Sequence, residues 1–207
     1  MNIDALEYLS STQELEQAYG QPSARALVKE LTYLNEEYQR YIRNAPFILL
    51  ATVAEQGIDV SPRGDAPGFV QVHDANTLLL ADRKGNNRAD SLKNLLTNPT
   101  CGLLFLIPGI GEALRVRGSA RITLDSDLCQ AMAWQGKPAR SVMVMQVEKA
   151  YFQCQKAIAR SGLWQVRART ERGDVPTAGD MIKACDPAFN AEDYDSNYPQ
   201  YMNETLY

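Results

Sequence analysis

The stretch from Val60 to Leu106 holds the residues with the clearest chemistry. Arg63 stands in S-P-R-G-D, a segment too rich in Pro and Gly to read as a plain strand. Arg83, Lys84 and Arg88 gather further on, where a predicted strand gives way to a predicted helix, with Gly85, Asn86 and Asn87 between them. Such a loop offers backbone N–H groups, side-chain amides and cations around a helix N-terminus. That is anion-binding chemistry, and phosphate is the commonest small anion it serves. Asn87 also suits an N-cap, which is compatible because both roles use the free N–H groups of the first turn. Arg63 can equally be a solvated cation beside Asp65, and Asp82 and Asp90 can simply balance the local charge.

Other residue types point to less. His73 is the single histidine, with no Cys or carboxylate at ligand spacing, so a metal centre is not expected. No G-x-S-x-G elbow supplies a serine nucleophile. Cys154 lies beside Lys156 in Q-C-Q-K, where a packed helix cysteine and a thiolate are both readings. Arg115 and Arg117 alternate on one predicted strand and share a face, either solvated or lining a substrate pocket. Lys156 and Arg160 are four apart and share a helix face.

Bulk composition narrows the classes. The chain has 207 residues, 45% apolar and 22% charged, with a formal net charge of -4. That is enough for one well-cored domain, and it disfavours generic attraction to nucleic acid or an anionic membrane. No apolar run approaches the roughly 20 residues of a membrane helix, and M-N-I-D-A-L-E lacks the features of a signal peptide. Widely spaced Cys101, Cys129, Cys154 and Cys185 read as reduced thiols, so a cytoplasmic protein is expected.

The elements that must position these residues follow from periodicity. Ser11-Thr12-Gln13-Glu14 has the form of a capping box for a helix that Gly20 stops. Leu27, Leu31, Leu34, Tyr38 and Tyr41 form one apolar stripe, predicting a helix from about Pro22 to Arg43. Strands are predicted at Pro46 to Ala54, Ile58 to Ser61, Phe69 to Val72, Thr77 to Ala81, Cys101 to Ile107, Ala113 to Leu124 and Ser141 to Val147. Helices are predicted over Asn86 to Thr97, from Asp125 or Ser126 through Trp134, and over residues 149–160. Short connections make the strands antiparallel. About six of them, with interspersed helices, indicate a closed or partly closed barrel. We therefore expect one domain over 1–207, with N-terminal helices in 1–43, a core over about 44–165 and an irregular acidic, tyrosine-rich tail over 166–207.

P-F-x-x-L-A-T, S-P-R-G-D-x-P-G-F, D-R-x-G-N-N-R-x-D-S-L-x-N and N-P-x-x-G-L-L-F-L-x-P-G-x-G-E-x-L-R-V-x-G occur in this order. Together they resemble the pyridoxamine 5'-phosphate oxidase-like, FMN-binding split-barrel family, and in particular its branch of FMN-dependent enzymes of unassigned substrate. F-x-C-x-K-A-x-x-R-S-x-L-W, from Phe152 to Trp164, is similar to that branch too. The resemblance covers roughly residues 22–165. It implies a six-stranded antiparallel split β-barrel of Greek-key type and a homodimer with FMN between the subunits. It implies that Ser61, Arg63 and Gly64 lie against the ribityl and phosphate region, and that Ala81 and Asp82 lie along the cofactor. Lys84, Asn87 and Arg88 would hold the phosphate. Arg115, Lys156 and Arg160 are candidates for a small-molecule substrate or electron donor. The chain departs from pyridoxamine phosphate oxidase in carrying G-N-N-R where that enzyme has S-R-K. The function implied is an FMN-dependent oxidoreductase of unassigned substrate; the alternative is a flavin, deazaflavin or haem carrier or sensor without turnover.

Overall fold

The computed structural model describes residues 1–165 and 171–205. Among the described residues seven strands carry the fold: β1 (Phe47–Ala54), β2 (Gly57–Gly64), β3 (Val70–Asp74), β4 (Thr77–Asp82), β5 (Thr100–Leu106), β6 (Ala113–Thr123) and β7 (Ser141–Gln153). Every pairing is antiparallel, in the order β2-β1-β5-β6-β7-β4-β3. The fold is therefore a mixed α+β one built on a single sheet. The expectation of six strands is corrected to seven, and among the described residues no backbone pairing joins β2 to β3 and closes the sheet.

Side-chain alternation shows how the sheet bends. Ile48 and Leu50 of β1, Val70 of β3, Leu80 of β4, Phe105 of β5, Val116 of β6 and Met145 of β7 all belong to one buried cluster. The end strand β3 and β1, next to the other end, thus share one core, which requires the sheet to curl around it, with the hand given by strand twist. Each fully buried side chain of this size contributes roughly 1.5–3 kcal/mol. Helix α3 (Glu36–Asn44) adds Tyr38 and Ile42 to that core. A second cluster joins Leu79 and Val142 to Cys129 and Met132 of the region around α5 (Ser126–Ala131). That explains why Leu78, Leu79 and Leu80 are buried in succession: β4 is covered on both faces.

Several predicted boundaries move. The Ser11 capping box and the stop at Gly20 are present, framing α1 (Thr12–Tyr19). The single helix expected over 22–43 is divided into α2 (Ala24–Leu27) and α3. Between them Leu31 exchanges both backbone hydrogen bonds with Ala150, at 3.0 and 2.8 Å, and the Leu34 N–H donates to Ala75. These tertiary bonds replace the helical ones. The edge strand β2 runs through S-P-R-G, because an edge position tolerates the donor missing from Pro62. Strand β7 continues to Gln153 where a helix was expected, because long β6 pairs with it as far as Ala113↔Gln153. Helix α6 is confined to Lys156–Ser161. Helices α4 (Asp90–Thr97) and α5 are shorter than expected. The tail expected to be irregular forms α7 (Ala178–Cys185) and α8 (Ala191–Thr205), which pack on each other; residues 166–170 and 206–207 lie outside the described residues.

Candidate functional site

Strands β2 and β4 are separated in the sheet order by four others, yet their ends meet. The Arg63 guanidinium of β2 donates to Asp82 of β4 at 3.2 Å. Just beyond the strand ends the charges are exchanged: Arg83 donates to Asp65 at 2.9 Å. Asp65 has a side chain only 5% exposed, so its carboxylate is anchored in a largely dry position. Two crossed ion pairs thus stitch the ends of the curled sheet along a seam that no ladder bridges among the described residues.

A cleft of about 620 Å³ lies on this seam, lined by Ser61 and Arg63 of β2, Asp82 of β4, the turn Gly85–Ala89, and Arg140 and Ser141 at the start of β7. A smaller hollow of about 210 Å³ adjoins it, with Arg63 on the wall of both and Gly64, Ala81 and Lys84 around it. The structure therefore gathers all eight expected cofactor residues around one seam. Arg115 lies elsewhere, on the outer face of the sheet, where it donates to the Tyr151 hydroxyl at 3.0 Å. Lys156 and Arg160 sit exposed on α6 and line neither hollow.

The turn before α4 is unusual. Asn87 and Ala89 have positive φ, 61° and 54°, in the left-handed region that non-glycine residues rarely occupy. The helix is capped by Ala89 and not by Asn87, and among the described residues no side chain accepts from its first turn. The Asn87 side-chain oxygen accepts instead from Arg140, at 2.6 Å. The free N–H groups of α4 therefore open onto the cleft, with the partial positive charge of a helix N-terminus. Arg88 is a weaker component, 76% exposed and held by Asp90 at 2.8 Å. Ser91 is buried and donates to Asp59 at 3.1 Å, which fixes the first turn against β2.

Two polar atoms in the cleft wall are buried without a partner among the described residues: Arg63 Nε and Ser141 Oγ. Leaving such a group unsatisfied costs about 1–3 kcal/mol, and native proteins rarely tolerate it without reason. The whole Ser141 residue is 5% exposed. Sequence reasoning passed over Arg140 and Ser141, because neither stands in a motif; the pairing Asp82↔Ser141 between β4 and β7 brings them to the seam. Among the described residues no cluster of His, Cys, Asp and Glu is arranged to hold a metal ion, and no helix is long and apolar enough to cross a membrane.

A family model described as pyridoxamine 5'-phosphate oxidase matches residues 34–154. The chain belongs to this family. The match runs from just before α3 to the end of β7 and includes every residue of the cleft. Solved structures similar to the chain include HupZ from Group A Streptococcus, 17% identical over 56% of this chain and 91% of that one, with a TM-score of 0.46. General stress protein 26 from Bacillus anthracis is 16% identical over 55% and 88%, with a TM-score of 0.42. An FAD binding protein from Mycobacterium smegmatis is 15% identical over 59% and 97%, with a TM-score of 0.40. No curated protein matches the chain.

Proposed function

We propose that the seam cleft binds FMN and that the chain is an FMN-dependent oxidoreductase acting on a small molecule as a homodimer. The observation that carries this reading is the set of unmet donors around one cleft. Arg63 Nε and Ser141 Oγ are buried without partners, beside a helix N-terminus that no side chain caps. A phosphate monoester on a polyol chain is the chemistry they fit: charge-assisted acceptance from arginine and backbone N–H groups, with a hydroxyl contact beside it. Family membership supports the same cofactor. The cleft volume, about 620 Å³, falls within the roughly 300–1,000 Å³ of cofactor sites.

In this reading the α4 first turn, Arg140 and Arg88 hold the phosphate. Ser61, Arg63 and Ser141 contact the ribityl chain, while Ala81 and Asp82 line the path beyond it. The Arg63–Asp82 pair keeps the guanidinium in place and offsets its charge, so the net positive field falls nearer the helix N-terminus. When bound, the flavin supplies the redox chemistry, and the protein supplies orientation, electrostatics and access. The single-domain organisation and the split-barrel description belong to this reading, with the two ion pairs as the closing line of the barrel.

Purified protein should carry FMN, identified by its absorption spectrum and by mass. Titration of the stripped protein should show FMN binding at least tenfold tighter than riboflavin. Equal affinities would remove the phosphate assignment. Bleaching by NAD(P)H and recolouring by an acceptor would establish turnover; a flavin that never cycles would leave a carrier or sensor.

A further inference from the structure

Among the described residues no hydrogen bond or ion pair ties the C-terminal hairpin to its own sheet. Every hydrogen bond described for residues 171–205 closes within that segment, including Gly179 N–H to Asp195 at 2.9 Å. Yet it exposes large apolar side chains, among them Met181, Tyr198, Tyr201 and Met202. Tyr194, Tyr198, Tyr201 and Met202 recur at spacings of four, three and one, so they share one face of α8. The tyrosine rings form a ladder with centroids 5.4 and 6.2 Å apart. The segment is also strongly acidic, with eight carboxylate residues against two bases over 171–205.

The sheet carries the complement. A trough of about 390 Å³ crosses its outer face, with Leu49, Ala51 and Leu104 as floor and Gly102 leaving the centre without a side chain. Arg115, Arg117 and Lys149 stand along it. Lys149 is paired with Glu30 at 2.6 Å, but among the described residues no carboxylate pairs with Arg115 or Arg117. A second apolar hollow, beside Tyr41 and Ile110, is edged by Glu37, Arg40 and Glu112; Arg40 is paired with Glu37 at 2.6 Å, so the hollow offers an acidic helix no unpaired cation. Charge therefore selects the trough. Val60 lines both the trough and the seam cleft, so whatever covers one borders the other.

We infer that the α7–α8 hairpin of one copy docks on the trough of a second copy, laying its tyrosine face on the apolar floor and its carboxylates against Arg115 and Arg117. The hairpin then supplies the second wall of the neighbouring cleft. This rests on the homodimer reading given above.

The test is charge reversal in the full chain. Arg115→Glu with Arg117→Glu, and separately Asp193→Lys with Glu204→Lys, which flank the tyrosine face, should each raise the dimer dissociation constant at least tenfold by sedimentation. All four together should recover most of the loss. A combined variant no tighter than either pair overturns the docking. Geometry is checked by mixing two chains without native Cys154 and Cys185, one carrying Leu104→Cys and the other Tyr198→Cys. Oxidation should give a covalent heterodimer; a disulfide formed only within a doubly substituted single chain overturns the proposal. FMN content is read on the same samples. A monomer that keeps FMN sinks the docking and spares the flavin assignment, while a recovered dimer that binds no FMN does the reverse.

Discussion

The Arg140 guanidinium donates to the side-chain oxygen of Asn87 across 2.6 Å, tying the start of β7 to the turn that opens α4. The bond explains how Asn87 and Ala89 hold positive φ: that conformation costs of order 1–3 kcal/mol per residue and persists only where neighbours impose it. Arg140→Ala should therefore loosen the turn and weaken FMN about tenfold. Arg140→Lys should recover little, because an ammonium lacks the planar fork that reaches Asn87. Titration with FMN and with riboflavin checks this; equal losses for both would mean the turn acts away from the phosphate.

Ser141→Ala should separate stability from binding. Removing an unpaired buried hydroxyl should raise the stability of the cofactor-free protein by about 1 kcal/mol, which is roughly 2–4 °C in Tm for a chain of this size. The same change should weaken FMN severalfold. A fall in Tm would show that the hydroxyl has a structural partner in solution.

Burial pushes the Tyr41 phenol up to about 12, with the Glu112 charge adding to the effect. Its hydroxyl donates to the Glu112 carbonyl at 2.6 Å. The folded form thus keeps its proton more tightly than the unfolded one. Stability is unaffected below about pH 10, the ordinary phenol value, and falls as pH rises from there towards 12. Tyr41→Phe should flatten that alkaline decline in chemical denaturation series run from pH 8 upward. An unchanged slope would reassign the loss to other groups.

Thiol chemistry should divide the cysteines evenly. Cys101 and Cys129 are buried, and Cys154 and Cys185 are exposed. Burial, with a smaller push from Glu148, lifts the Cys101 thiol to about 12, so it stays protonated and unreactive at neutral pH. An aromatic disulfide reagent should titrate two thiols in the native protein and four in denaturant. Four fast thiols in the native state would contradict the core described above.

The strands β1 and β2 were legible because an apolar run from Pro46 to Ala54, followed by Gly57, is a local signal, and the same holds for the Ser11 capping box. The basic loop was legible for a similar reason: Arg83 to Arg88 is dense in one composition. The break between α2 and α3 was not legible, since the stripe from Leu27 to Tyr38 keeps helical spacing and only the partners Ala75 and Ala150 divert its backbone bonds. The end of β7 was hidden likewise, because its length is set by β6. The α7 start does carry a local sign, Thr177 and Asp180 capping each other, although Pro199 and the acidic composition pointed to irregular chain. Ser141 stands furthest from sequence reasoning. A serine opening a strand is unremarkable until the fold removes every partner from its hydroxyl.

The two crossed ion pairs give the sheet one line of mechanical compliance. A ladder joining its ends would have to surrender several backbone hydrogen bonds at once before anything could pass. Partly exposed pairs such as Arg63–Asp82 contribute about 0–1 kcal/mol each, and ions in solution can take over their charges. The seam can therefore loosen at Arg63–Asp82 while the drier Arg83–Asp65 pair and all seven strands keep their places. Loading the cleft then needs no unfolding, and its rate should climb with ionic strength even as affinity for the phosphate declines.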